Sequence, residues 1–242
     1  MTSDTPLAGK RILLTGGTTG IGRATLAMLV AEGARVLTFG RHRGPLDEAV
    51  AGRAGVETLV ADAATRDGID AIFAAVEDRL GGVDIMVANA AVGAQPIDTM
   101  ADDDWRYVID TNLTGYLACA EAALTRMERQ GRGHLLFVGS ISTIIKAEGE
   151  SVYAATKAGV QAFAETLRKE VADKGIRVSV IQPGSIDSDM QECSDAEKNE
   201  ALATGEMLAA SEIAEAIRFV LTRSALAGVV NLRIEPLLQK AA

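Results

Sequence analysis

The sequence is short of cysteine, of positive charge and of long apolar runs, and each shortage excludes something. Cys119 and Cys193 are the only two thiols in 242 residues, too few for a disulfide framework, so reduced thiols in a cytoplasmic protein are expected. The formal net charge is −9. A field of that sign repels phosphate, which argues against a nucleic-acid or anionic-membrane surface but leaves room for a local basic pocket holding one phosphate. No apolar stretch approaches the length that crosses a bilayer, and the opening MTSDTPLAGKR has no apolar core of a signal peptide. The two histidines, His42 and His134, are far apart and lack the cysteine or carboxylate spacing typical of zinc, so no metal is expected. No repeat, low-complexity tract or linker interrupts the chain.

What is present is an ordinary globular balance, 48% hydrophobic and 24% charged, arranged in alternation. Short apolar runs at 11–15, 34–39, 56–61, 83–88, 134–139, 176–182 and 228–234 read as strands. Helical stretches fall at 20–32, 65–80, 102–130, 151–174 and 211–223. In 151–174, Val160, Phe163, Leu167 and Val171 recur at spacings of three and four, an apolar stripe that Gly175 ends. Near-continuous apolar strands between helices predict a parallel sheet covered on both faces. One doubly wound α/β domain over 1–242, with a seven-stranded, mostly parallel sheet, is the economical reading.

The first strand runs into ILLTGGTTGIG at 12–22. A strand–turn–helix junction of this kind offers free backbone N–H groups at the positive end of a helix dipole, where a pyrophosphate can rest. Gly16 suits the tight turn, Gly20 a close approach of backbone to ligand, and Gly22 close packing of helix on strand. A tight turn without a ligand would use some of the same residues.

T15-G16-G17-T18-T19-G20-I21-G22 resembles the T-G-x-x-x-G-I-G fingerprint of the short-chain dehydrogenase/reductase family. Further motifs follow in register: D62-A63, A88-N89-A90-A91, N112-L113-T114-G115, Ser140, Y153-A154-A155-T156-K157 and P183-G184-S185-I186-D187-S188. The resemblance covers almost the whole chain and implies a Rossmann fold, a nicotinamide cofactor and an alcohol or carbonyl substrate. It implies that Gly16, Thr18, Thr19, Gly20, Ile21, Gly22, Asp62, Ala63, Asn89, Pro183, Ile186 and Ser188 hold the cofactor, Asp62 at the adenine and Ile186 and Ser188 at the carboxamide. It further implies a homodimer or homotetramer.

Tyr153 and Lys157 are four apart on a predicted helix, so they share a face. A nearby ammonium favours the phenolate and is expected to lower the tyrosine pKa, fitting it to exchange a proton with an alcohol or carbonyl. Ser140 can hydrogen-bond the same oxygen; Ser142 and Ser151 are nearby competitors, and the family spacing picks Ser140. By resemblance, Tyr153 is the acid/base, Lys157 holds the nicotinamide ribose and tunes Tyr153, and Asn112 holds a water linking Lys157 to solvent. Asn112 could equally cap or kink a helix, and Asp62 could cap the helix after its strand.

The second strand ends at Phe39-Gly40-Arg41 with Arg43 close behind. An acidic residue here would bind the 2′-hydroxyl of NAD, whereas an arginine accepts a 2′-phosphate, so NADP(H) is favoured over NAD(H). A solvated loop arginine is the alternative, and Thr19 stands where many NADP-using members carry a basic residue. Ala91 replaces the family's glycine and adds a methyl group near the cofactor, and the tail GVVNLRIEP lacks the usual aspartate-glycine-glycine ending. The segment 189–208 is expected to cover the substrate pocket, with Ile144, Ile145 and Met190 lending it apolar character. Its acidic character argues against large anionic carriers such as acyl carrier protein or coenzyme A. The leading expectation is an NADP(H)-dependent oxidoreductase acting on a secondary alcohol or ketone. The alternatives are an NAD-dependent enzyme of the same fold, a dinucleotide sensor without catalysis, and an epimerase or dehydratase.

Overall fold

The computed structural model describes residues 6–239 except 189 and 192. The strands are β1 (Arg11–Thr15), β2 (Arg35–Gly40), β3 (Val56–Val60), β4 (Ile85–Ala88), β5 (Gly133–Val138), β6 (Ile176–Pro183) and β7 (Asn231–Ile234). They form one sheet in the order β3-β2-β1-β4-β5-β6-β7. Every pairing in it is parallel, so the expectation of a mostly parallel sheet tightens to a wholly parallel one.

Helices cover both faces: α1 (Gly20–Ala31), α2 (Arg43–Val50), α3 (Arg66–Ala75), α4 (Asp102–Ile109), α5 (Gly115–Gln130), α6 (Ser142–Ile145), α7 (Ser151–Glu170), α8 (Asp195–Thr204) and α9 (Ala210–Leu221). Successive strand residues point to opposite faces. Leu13, Met86, Leu135 and Phe137 therefore join a core with residues of α3, α5 and α7. Their neighbours Ile12, Leu14, Val87 and Leu136 join a second core with α1 and α9. Burial on both sides is why the strands read as apolar runs rather than alternations. Each such Leu or Ile contributes roughly 1.5–3 kcal/mol.

The helical stretch expected at 102–130 is interrupted by a π turn at Asp110–Thr114, and that at 65–80 ends in another at Val76–Leu80. A π turn widens the coil by one residue and re-aims side chains, a device common near functional sites. Three helices lack a clear pattern in the sequence. α2 buries only Leu46 and Ala49. α6 is a single turn. α8 buries nothing and stands on a capping box, in which Ser194 accepts from the Glu197 N–H while the Glu197 carboxylate accepts from the Ser194 N–H.

The strand order reverses at β1, whose neighbours are β2 on one side and β4 on the other. Connections after these strands diverge to opposite faces and leave a crevice at their carboxyl ends. The candidate site lies there.

Candidate active site

The turn after β1 is built for close approach. Gly16 has φ 69°, and a Cβ there would lie 2.7 Å from the Ala90 Cα. A Cβ on Gly22 would overlap the Gly16 carbonyl oxygen and lie 2.6 Å from Asn89 Nδ2. Asn89 fastens the turn from the end of β4, donating to the carbonyls of Thr15 at 3.1 Å and Gly16 at 3.0 Å. Thr15 Oγ1 accepts from the N–H groups of Asn89 and Ala90, both at 2.8 Å. Thr19 precedes α1 without a side-chain cap, and the first turn of α1 holds no acidic residue. The leading N–H groups are thus left for an anion, as a cofactor pyrophosphate requires.

A cleft of about 710 Å³ runs from this turn across the carboxyl ends of the strands. Gly16, Thr18, Thr19, Gly20, Ile21, Gly22, Arg41, Asp62, Ala63, Asn89, Ser140, Tyr153, Lys157, Pro183, Ile186 and Ser188 all line it. Asn112 does not. It is fully buried in the π turn before α5, accepting from the Val92 N–H at 2.9 Å and donating to the Val92 carbonyl at 2.8 Å. Its side chain braces the strand-four loop, with one hydrogen bond from each end of the amide.

At the centre of the cleft, Lys157 is wholly buried and donates from Nζ to the Val138 carbonyl at 2.9 Å. The amine lies 5.6 Å from the ring centre of Tyr153 and 5.0 Å from that of Tyr116. A cation gains by lying over ring faces. Burial nonetheless lowers the Lys157 pKa to about 7. Burial raises Tyr153 to about 12; a hydrogen bond with Ser140 pulls it down and the Glu150 carboxylate pushes it further up. The spacing of the two residues predicts a lowered phenol, and the protein by itself does not supply that. Desolvation is the largest cause, because a phenolate loses its hydration on burial. An oxidised nicotinamide brings a positive ring, a charge that favours the phenolate.

The end of the cleft beside Arg41 and Asp62 is organised by Tyr107, a residue outside every sequence motif. Tyr107 on α4 donates its hydroxyl to Asp62 Oδ2 at 3.0 Å and accepts from Arg41 Nη1 at 3.0 Å. The Arg41 guanidinium lies 5.4 Å from the Tyr107 ring centre. Asp62 also accepts from the Ala64 N–H at 2.9 Å. Arg43 is turned away on α2, in a loose 3.9 Å pair with Asp47, and is not part of the cleft wall.

Ile141, Ser142, Ile145, Ala147, Glu150 and Met190 also line the cleft. Ile145 and Met190 stand where the apolar pocket was expected, but Ile144 is 51% exposed and faces away from the cleft. Of the expected covering segment 189–208, Met190 and Gln191 line the cleft, while Asp189 and Glu192 lie outside the described residues. The chain's tail also contributes: Gln239 lines the cleft and its amide pairs with Ser185, accepting from the N–H at 2.9 Å and donating to Oγ at 3.1 Å. Among the described residues no cluster of His, Cys, Asp or Glu could hold a metal ion, and no helix is long and apolar enough to cross a membrane.

A wholly parallel doubly wound sheet, a glycine turn at its switch point and a tyrosine–lysine pair in the crevice define a nicotinamide-dependent oxidoreductase. The short chain dehydrogenase family model matches residues 10–199, and the chain belongs to that family. It is 31% identical over 235 residues to an uncharacterized oxidoreductase of Staphylococcus aureus, covering 96% of this chain and 99% of that one. It is 36% identical over 186 residues to a 3-oxoacyl-[acyl-carrier-protein] reductase of Mycobacterium tuberculosis, covering 76% and 72%. Among solved structures, the serine dehydrogenase complexed with NADP+ superposes with a TM-score of 0.87 at 27% identity, covering 96% and 97%. The Brucella melitensis 3-ketoacyl-(acyl-carrier-protein) reductase complexed with NADH shares the fold at the same TM-score, with 22% identity and coverage of 96% and 99%. The protein is an NAD(P)-dependent dehydrogenase or reductase.

Proposed function

We propose that the protein transfers a hydride between NADP(H) and a secondary alcohol or its ketone, within one catalytic domain spanning the chain. The observation that carries this reading is the convergence of Ser140, Tyr153 and Lys157 on one cleft wall, beside the glycine turn that can seat the pyrophosphate. The nicotinamide, when bound, supplies the hydride chemistry. Ser140 holds the substrate oxygen, and Tyr153 gives or takes its proton. Lys157, fixed by Val138, stands beside the ring to bind the ribose hydroxyls and to favour the phenolate once charged. Asn112 acts indirectly, by fixing the loop at Val92 that walls the nicotinamide end.

The preference for NADP(H) rests on Arg41. It is exposed at the cleft rim, always charged, and offers a planar fork suited to a 2′-phosphate. No carboxylate ends β2 to bind a free 2′-hydroxyl. Exposed apolar side chains on α9 and in the segment before the edge strand β7, Phe219, Leu226 and Val230, support assembly into a homodimer or homotetramer. The scarcity of cysteine supports a cytoplasmic protein, and the net charge supports the lack of a nucleic-acid or membrane partner.

The test is oxidation of a panel of secondary alcohols and reduction of their ketones, followed by the absorbance of the reduced cofactor, with NADP and NAD in parallel. Turnover with NADP at higher kcat/KM than with NAD is expected. Equal efficiency with both removes the Arg41 reading, and cofactor binding without any turnover favours a sensor.

A further inference from the structure

Glu150 is a carboxylate that the hydride-transfer chemistry does not use. It lies three residues before Tyr153, lines the cleft and is half-buried. One of its oxygens, Oε2, accepts from Ser142 Oγ at 2.7 Å, and Ser142 Oγ in turn accepts from Ser140 Oγ at 3.1 Å. The carboxylate is thus two hydrogen bonds from the hydroxyl that would hold the substrate oxygen.

No lysine, arginine or histidine among the described residues comes within ion-pair distance of it. Ile141, Ile145, Ala147 and Met190, apolar or small, line the same cleft. Lys157, the buried cation of the cleft, is tied to Val138. Glu150 thus presents to the cleft a carboxylate with no ion-pair partner among the described residues, and an ammonium brought by a ligand would supply one. The protein's overall negative charge works the same way at long range.

We propose that Glu150 is a substrate-recognition residue that binds an ammonium group, so that the preferred substrates are amino alcohols and the matching amino ketones. The amine sits on the carbon next to the carbinol carbon or one removed, since the two anchoring points, Ser140 and Glu150, are separated by a single hydroxyl. Ser142 holds the carboxylate in place and does not touch the reacting carbon. The inference rests on the hydride-transfer reading above.

The experiment compares matched pairs that differ only in ammonium for methyl, starting with isopropanolamine against sec-butanol and extending to longer homologues of both. Each pair is assayed by reduced-cofactor absorbance with wild-type protein, Glu150→Gln and Ser142→Ala. Circular dichroism and cofactor binding show that each variant is folded. The wild type is expected to favour the ammonium member by tenfold or more in kcat/KM, mostly through KM. Glu150→Gln is expected to erase that preference, read as the ratio of kcat/KM for the two members of a pair, whatever common change in rate the lost charge causes through Tyr153. A wild type that treats the two members alike, or a preference that survives in Glu150→Gln, overturns the proposal. So does an equal fall of kcat for both members in Glu150→Gln and Ser142→Ala that leaves this ratio unchanged, which would make the hydroxyl chain a device acting on Tyr153 instead. Turnover of acyl thioesters in place of either series overturns it as well. No turnover of either series by protein that binds cofactor removes the parent reading along with it.

Discussion

Lys157 and Tyr153 stand one turn apart on α7, and the amine lies 5.6 Å from the centre of the phenol ring while bonded to the Val138 carbonyl. The amine therefore lies beside the phenol without bonding to it. The gap leaves both side chains free to meet a third group, the ribose of a cofactor. Burial drives the two residues in opposite directions, the phenol up to about 12 and the ammonium down to about 7. A pair poised in this way depends on cofactor charge and hydroxyl groups to reach its working state.

That burial sets the first prediction. The Lys157 pKa is lowered in the folded protein from 10.5 to about 7. As pH falls from 10.5 to 7 the unfolded chain takes a proton that the folded chain refuses, so stability declines across that window and levels off below it. Lys157→Met removes the decline. At pH 7 the cofactor-free variant should melt about 2 °C or more above wild type while losing nearly all turnover. Thermal melts between pH 7 and 10 check this.

His134 sets the acid limit. It is buried, its Nε2 is 2.9 Å from Ser179 Oγ, and its Nδ1 has no partner. Burial, aided by the charge of Arg177, lowers its pKa from 6.5 to about 3. The folded protein keeps it neutral while the unfolded chain protonates it, so stability present above pH 6.5 is lost as pH falls towards 3. The loss is on the order of 4 kcal/mol. His134→Gln, which keeps a partner for Ser179, should flatten that limb in urea melts taken from pH 7 to 4.

Cofactor choice is tested at the Arg41–Tyr107–Asp62 chain. Arg41→Ala should raise KM for NADP by tenfold or more and leave NAD within about threefold, as expected for loss of a charge-assisted phosphate contact. Tyr107→Phe removes the 3.0 Å bond that positions the guanidinium and should give a smaller change in the same direction. Initial rates with both cofactors report each.

Gly22→Ala should be far worse than its single methyl suggests. The added Cβ meets the Gly16 carbonyl and Asn89, groups that hold the turn rather than loose side-chain ends. Strain of about 1–3 kcal/mol and a marked loss of cofactor affinity are expected. Denaturant melts and fluorescence titration with reduced cofactor measure the two effects.

Much of this was legible in the sequence, and the limits have physical causes. Strands buried on both faces advertise themselves as apolar runs, and all seven lie within a few residues of where the runs place them. The glycine turn was legible because each glycine answers a steric demand, Gly22 most plainly. α2 and α8 left little periodic signal because they bury two side chains and none. Tyr107 could not be recognised because its partners, Asp62 and Arg41, come from other parts of the chain and meet it only when α4 crosses the ends of β2 and β3. Glu150 belongs to no sequence motif. Its place in the cleft follows from α6 and the start of α7 folding over the end of β5. The π turn that holds Asn112, and the pair of hydrogen bonds its amide makes to Val92, are not revealed by spacing alone.

The central claim is that Tyr153 is the proton donor and acceptor beside the cofactor. The most direct measurement is turnover by Tyr153→Phe, with cofactor affinity measured on the same preparation. A general acid/base contributes about 10²–10⁴ in rate, so kcat should fall by at least a hundredfold while cofactor affinity stays within about threefold. A variant that retains turnover within tenfold of wild type, with cofactor bound, would contradict the account.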